Sequence, residues 1–104
     1  MSETITFTTC RDARQAKAIG RALVKEKLAA CVNLVPGVTS IYTWEGRTEE
    51  ASEVLLLIKS RSALSKKLVS RIRALHSYEV PEVVTLPIRS GNPAYLRWVR
   101  ESTR

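Results

Sequence analysis

The segment from Cys31 to Lys59 constrains the fold more than any other part of the chain. "CVNLVPGVTSIYTW" is strand-like throughout except at Pro36-Gly37. Proline cannot donate to a sheet ladder and glycine permits positive φ, so this pair predicts a bend or bulge within one long strand. The turn "EGRTE" follows, and "EVLLLIK", Glu53 to Lys59, returns as a nearly continuous apolar strand. About a dozen paired residues per arm, at roughly 3.3 Å each, make a hairpin near 40 Å long. A chain of 104 residues folds as a single domain, residues 1–104, with a radius of gyration of about 13 Å. Such a hairpin overhangs its own domain and ends at Trp44 with apolar surface and an unpaired edge, and a partner subunit is the obvious cover.

The remaining segments supply what packs on that hairpin. "TITFTTC" alternates Ile5 and Phe7 with threonines, the period of two expected of a strand. Asp12 stands three residues before Gln15 in a capping-box-like start, and Ala16, Ile19, Gly20, Leu23 and Val24 recur at helical spacing, which predicts a helix from Ala13 to Lys27. Its stripe of small residues lets it lie close on a sheet. Ser62 is placed to cap a second helix, with Leu64, Leu68, Ile72 and Leu75 along one face. "EVVTLPI" reads as a fourth strand whose Pro87 marks an edge or an end. Asn92-Pro93 then opens a short C-terminal helix, "AYLRWVRES". The order β-α-β-β-α-β-α, with right-handed crossovers, gives an α+β, ferredoxin-like split βαβ sandwich with a four-stranded antiparallel sheet.

Composition narrows the functional classes. With 44% hydrophobic and 26% charged residues the chain is neither disordered nor fibrous. No run of residues approaches the roughly 18 apolar positions of a membrane span, and "MSETITFTTC" lacks a signal-peptide pattern, so a cytoplasmic location is expected. Cys10 and Cys31 form no CxxC, and reduced thiols are expected rather than a disulfide. Seventeen Lys and Arg against ten Asp and Glu leave a net charge of +7, which raises the question of an anionic partner. The cations are spread over Arg11–Lys27, Lys59–Arg73 and Arg89–Arg104 without a run of five, so a solvated helix face explains most of them and nucleic acid is not the expected partner.

The familiar enzyme signatures GxSxG, GxGxxG, HExxH and the Walker loop are absent. One histidine without a positioned partner names no acid–base pair, so no catalytic role is expected. The inorganic option is a metal site of Cys10, His76 and Glu79, with Glu82 nearby, because thiolate, imidazole and carboxylate together suit copper or zinc. Against it stand the structural readings: His76 as a joint at a helix end, and Cys10 as a small buried apolar residue. Tyr42 and Trp44 share one side of a strand, and Tyr95 and Trp98 lie i, i+3 on the last helix, which favours packing over base stacking.

"EKLAACVNLVPGVTSIYTWEG", Glu26 to Gly46, "SEVLLLIKSR", Ser52 to Arg61, and "HSYEVPEVVTLPI", His76 to Ile88, resemble the CutA family of divalent cation tolerance proteins. "TTC" near the start and "YLRWV" near the end fit as well, so the resemblance spans practically the whole chain. It implies a ferredoxin-like subunit in a homotrimer whose long hairpins join sheets across subunits. It also implies a cytoplasmic bacterial protein, or its organellar counterpart, associated with Cu(II) or other divalent metal ions and with no established catalytic activity. The family's HPYE segment stands here as His76-Ser77-Tyr78-Glu79, with serine in place of proline. Leu75 and Thr8 occupy positions where some relatives carry a second histidine and a cysteine. The implied donors are therefore His76, Cys10 and Glu79, completed across a subunit boundary. A second reading is a trimeric sensor like the PII signalling proteins, with an anionic ligand held in the subunit clefts.

Overall fold

The computed structural model describes residues 2–104. Its elements run β1 (Glu3–Cys10), α1 (Ala13–Lys25), β2 (Cys31–Trp44), β3 (Arg47–Arg61), α2 (Ser65–Leu75), β4 (Val84–Pro87) and α3 (Pro93–Glu101). The sheet order is β2-β3-β1-β4 with every pairing antiparallel. This is the expected ferredoxin-like α+β arrangement. The molecule is elongated, 44 × 25 × 23 Å, because the hairpin runs past the helices.

The hairpin is longer than expected on its return arm. β3 starts at Arg47, not Glu53, since Glu45 and Gly46 alone make the turn, with φ of 51° and 78°. Positive φ at both central residues gives the turn a twist matching that of the strands, so pairing continues to the tip. The expected break at Pro36-Gly37 is a β-bulge: Val35 pairs with Leu55 and Val38 with Glu53, so β2 carries one extra residue there. Gly37 has φ of 75°, where a side chain would be strained. Inserting one residue exchanges the two faces of a strand. The bulge therefore puts Tyr42 and Trp44 on the face that carries Glu53.

One face of the sheet packs on α1 and α2 around Leu56, Ile58, Ile19, Leu23, Leu68 and Ile72, all at most 1% exposed. Close approach is possible because Ala16 and Gly20 face the strands; a Cβ on Gly20 would meet Val32 Cγ1 at 3.3 Å. Asp12 caps α1, accepting from the Gln15 amide at 2.9 Å. The helix stops at Lys25, two residues short of the expected end, because Lys27 turns to φ 61°. Ser62 does not cap α2: it starts a 3-10 turn, Ser62–Leu64, and its hydroxyl donates to the Ser2 carbonyl. Asn92 does cap α3, with Pro93 following it.

The opposite face is thinly covered. α3 reaches it through an Arg100–Glu3 ion pair at 2.9 Å. By strand alternation Ile5, Phe7, Leu55 and Leu57 lie on this side, and Val35, Val84, Leu86 and Trp98 are 40–47% exposed.

Candidate functional site

His76 ends α2, its amide donating to the Ile72 carbonyl at 2.9 Å while its backbone turns extended. The ring is tucked against β1 and is only 9% exposed. The Tyr78 amide donates to Nδ1 at 3.1 Å. Nε2 therefore carries the proton and donates to the Thr9 carbonyl at 2.8 Å. β4 was expected to start at Glu82 but starts at Val84, and it pairs with β1 only over Thr4–Phe7. Beyond that, the side chain of His76, rather than a strand amide, satisfies Thr9.

Cys10 meets this ring, with Sγ 3.8 Å from Nε2. Burial, then the carboxylates of Glu53 and Asp12, push its thiol up to about 11. A raised pKa means that the protonated thiol favours the folded chain. Stability should hold below about pH 9 and fall as pH rises toward about 11, because the unfolded thiol ionises first. Melting curves across that interval, compared with those of Cys10→Ala, check this: the variant should lose part of the decline. Cys31, by contrast, is half-buried and lies on the other face near Asn33. Both thiols are free, as expected.

Glu79 is exposed and belongs to a neighbouring cavity of about 610 Å³. Thr9 and Glu53 line it from the sheet, Tyr42 and Trp44 from the outer hairpin, and Tyr78, Glu79 and Glu82 from the loop after α2. The Tyr78 hydroxyl donates to Glu53 Oε2 at 2.6 Å. Burial first, and Glu53 second, hold this phenol above its usual range. Sequence reasoning named Tyr78 only as a companion of His76 and did not single out Glu53, which looks like an ordinary polar start to an apolar strand.

The expected metal set is only partly assembled. Cys10 and His76 touch, but the ring has both nitrogens bonded within the chain and the thiol stays protonated at neutral pH. Among the described residues, no three His, Cys, Asp or Glu side chains gather as metal donors. One chain therefore does not fit a resident copper or zinc centre.

The fold and this site define an α+β, ferredoxin-like protein with an acidic and aromatic cavity beside its long hairpin. The sequence profile of the CutA1 divalent ion tolerance protein matches residues 4–102. The chain belongs to that family. It is 50% identical over 101 residues to the divalent-cation tolerance protein CutA of Thermus thermophilus, covering 97% of this chain and 98% of that protein. It is also 53% identical to mouse protein CutA over 97 residues, 93% of this chain, but spans only 55% of that protein's length. The solved divalent cation tolerance protein of Thermus thermophilus superposes with a TM-score of 0.96 over 98% of this chain and 99% of that one, at 50% identity. CutA1 from Oryza sativa gives 0.97 over 100% and 95%, at 42% identity. None of these names is that of an enzyme, and a PII-like sensor finds no support among them. A relative from Arabidopsis thaliana, 45% identical over 100 residues, is named as a chloroplastic protein CutA. Among the described residues, no helix is long and apolar enough to cross a membrane.

Proposed function

We propose that the protein serves divalent-metal tolerance as a cytoplasmic homotrimer that binds Cu(II) or a similar ion rather than catalysing a reaction. The observation that carries this reading is the sheet face left open by the helices, whose half-exposed Val35, Val84 and Leu86, joined by Trp98 of α3, continue toward a hairpin too long for one domain. A patch of this kind marks an interface. Because the described residues of one chain hold no three-donor cluster, metal capture draws donors from more than one copy. Glu79 is the accessible member of the set, while His76 and Cys10 hold the joint behind it.

Copper titration of chelator-stripped protein tests the assignment. Glu79→Gln should weaken Cu(II) binding by about tenfold or more. His76→Ala should leave binding largely intact but cost about 1–3 kcal/mol of stability, because the buried Thr9 carbonyl loses its donor. Folded His76→Ala protein that no longer takes up copper, beside unaffected Glu79→Gln, would make the imidazole the ligand and reject this division of roles.

A further inference from the structure

Among the described residues of one chain, no cation pairs with Glu53. It is 8% exposed, and the ion pairs among the described residues are Arg11–Asp12, Arg71–Glu26 and Arg100–Glu3. Its one side-chain hydrogen bond comes from Tyr78, a neutral donor, at 2.6 Å. A buried carboxylate without a cation is costly, and this one opens into the cavity described above. Glu79 and Glu82 line the same space, so negative charge is concentrated in a concave region although the chain as a whole carries +7.

The other walls are aromatic. Tyr42, Trp44 and Tyr78 line the same space, two of them delivered by the bulge at Pro36-Gly37 that turns the outer half of β2 over. Aromatic faces attract cations whose charge is spread over carbon-bearing groups, while carboxylates supply the balancing charge. A volume of about 610 Å³ is far larger than a metal ion requires and falls in the range of small-molecule pockets, roughly 300–1,000 Å³. From this combination we infer that the cavity is a binding site for an organic ammonium cation, with Glu53 as its charge anchor and Tyr42, Trp44 and Tyr78 around its carbon substituents. The inference goes beyond metal tolerance and does not depend on copper capture at Glu79.

Isothermal titration of the assembled protein, with EDTA present to remove metals, tests it. The probes are choline, putrescine and 3,3-dimethylbutan-1-ol, the uncharged carbon isostere of choline. The expected result is saturable binding of at least one ammonium probe, with the alcohol weaker by about tenfold or more. Glu53→Gln, which preserves an acceptor for Tyr78 and removes an unpaired buried charge, should weaken ammonium binding by about tenfold with a melting temperature no lower than that of the natural sequence. Should that variant fold poorly, Trp44→Leu at the exposed hairpin end should show a comparable loss. Absence of saturable ammonium binding, equal binding of the alcohol, or ammonium binding indifferent to both substitutions would overturn the assignment. Binding of Cu(II) in chelator-free buffer without any ammonium binding would overturn it while leaving the metal reading intact.

Discussion

Val84→Asp combined with Leu86→Asp is expected to convert the assembled protein into single chains. In one chain these side chains are 47% and 46% exposed on the edge strand β4, and substitutions at such positions usually change folding stability by no more than about 0.5 kcal/mol each. In a trimer that closes its open sheet faces, the same two positions are buried. Each added carboxylate then loses its hydration without gaining a partner, at a cost of several kcal/mol per ion. The effect is repeated at every symmetric interface. Sedimentation velocity at micromolar concentration should show the natural sequence at three chains and the double variant at one. An unchanged trimer would place the interface elsewhere on the surface.

The second large effect is expected inside the chain. Leu56 lies in the middle of β3, fully buried between the sheet and the two helices, and pairs across the sheet with Thr8 and Leu34. Leu56→Ala removes buried methyl groups and leaves a cavity that rigid neighbouring strands fill poorly, so a loss of about 2–5 kcal/mol is expected. Urea unfolding of the variant and the natural sequence at matched protein concentration measures it, since the stability of an oligomer depends on concentration. A loss under about 1 kcal/mol would mean that the helices collapse into the space, and that the close packing ascribed to Ala16 and Gly20 is looser than described.

The long hairpin was legible because its two arms are written in β-branched and aromatic residues on either side of a short turn. Pro36-Gly37 announced the bulge, whose register shift appears at Val35/Val38. Asn92-Pro93 marked the start of α3 through capping chemistry local to the two residues. Errors gathered where distant parts of the chain decide the outcome. The start of β3 was placed at Glu53 because "RTEEAS" has little apolar character, yet ladder bonds to β2 hold it as strand. β4 was begun too early because nothing local shows that His76 already occupies the edge of β1 at Thr9. The sequence suggests Ser62 as the cap of the second helix, but its hydroxyl donates to the Ser2 carbonyl, 60 residues away.

The site was legible in part for the same reason. Cys10 and His76 are 66 residues apart yet in contact, and pairing them followed from residue chemistry and the family resemblance. What a sequence does not display is hydrogen-bond saturation. Only the structure shows the Tyr78 amide on Nδ1 and the Thr9 carbonyl on Nε2. Glu53 escaped notice because its importance lies in burial without a cation, which is a property of its surroundings.

Native mass spectrometry of chelator-stripped protein titrated with Cu(II) tests the central claim most directly, because one spectrum reports chain number and metal number together. The account predicts a species of three chains that takes up copper in steps to three ions, one for each equivalent boundary in a threefold assembly. A single-chain species, or a trimer that stays bare while copper is in excess, would contradict it.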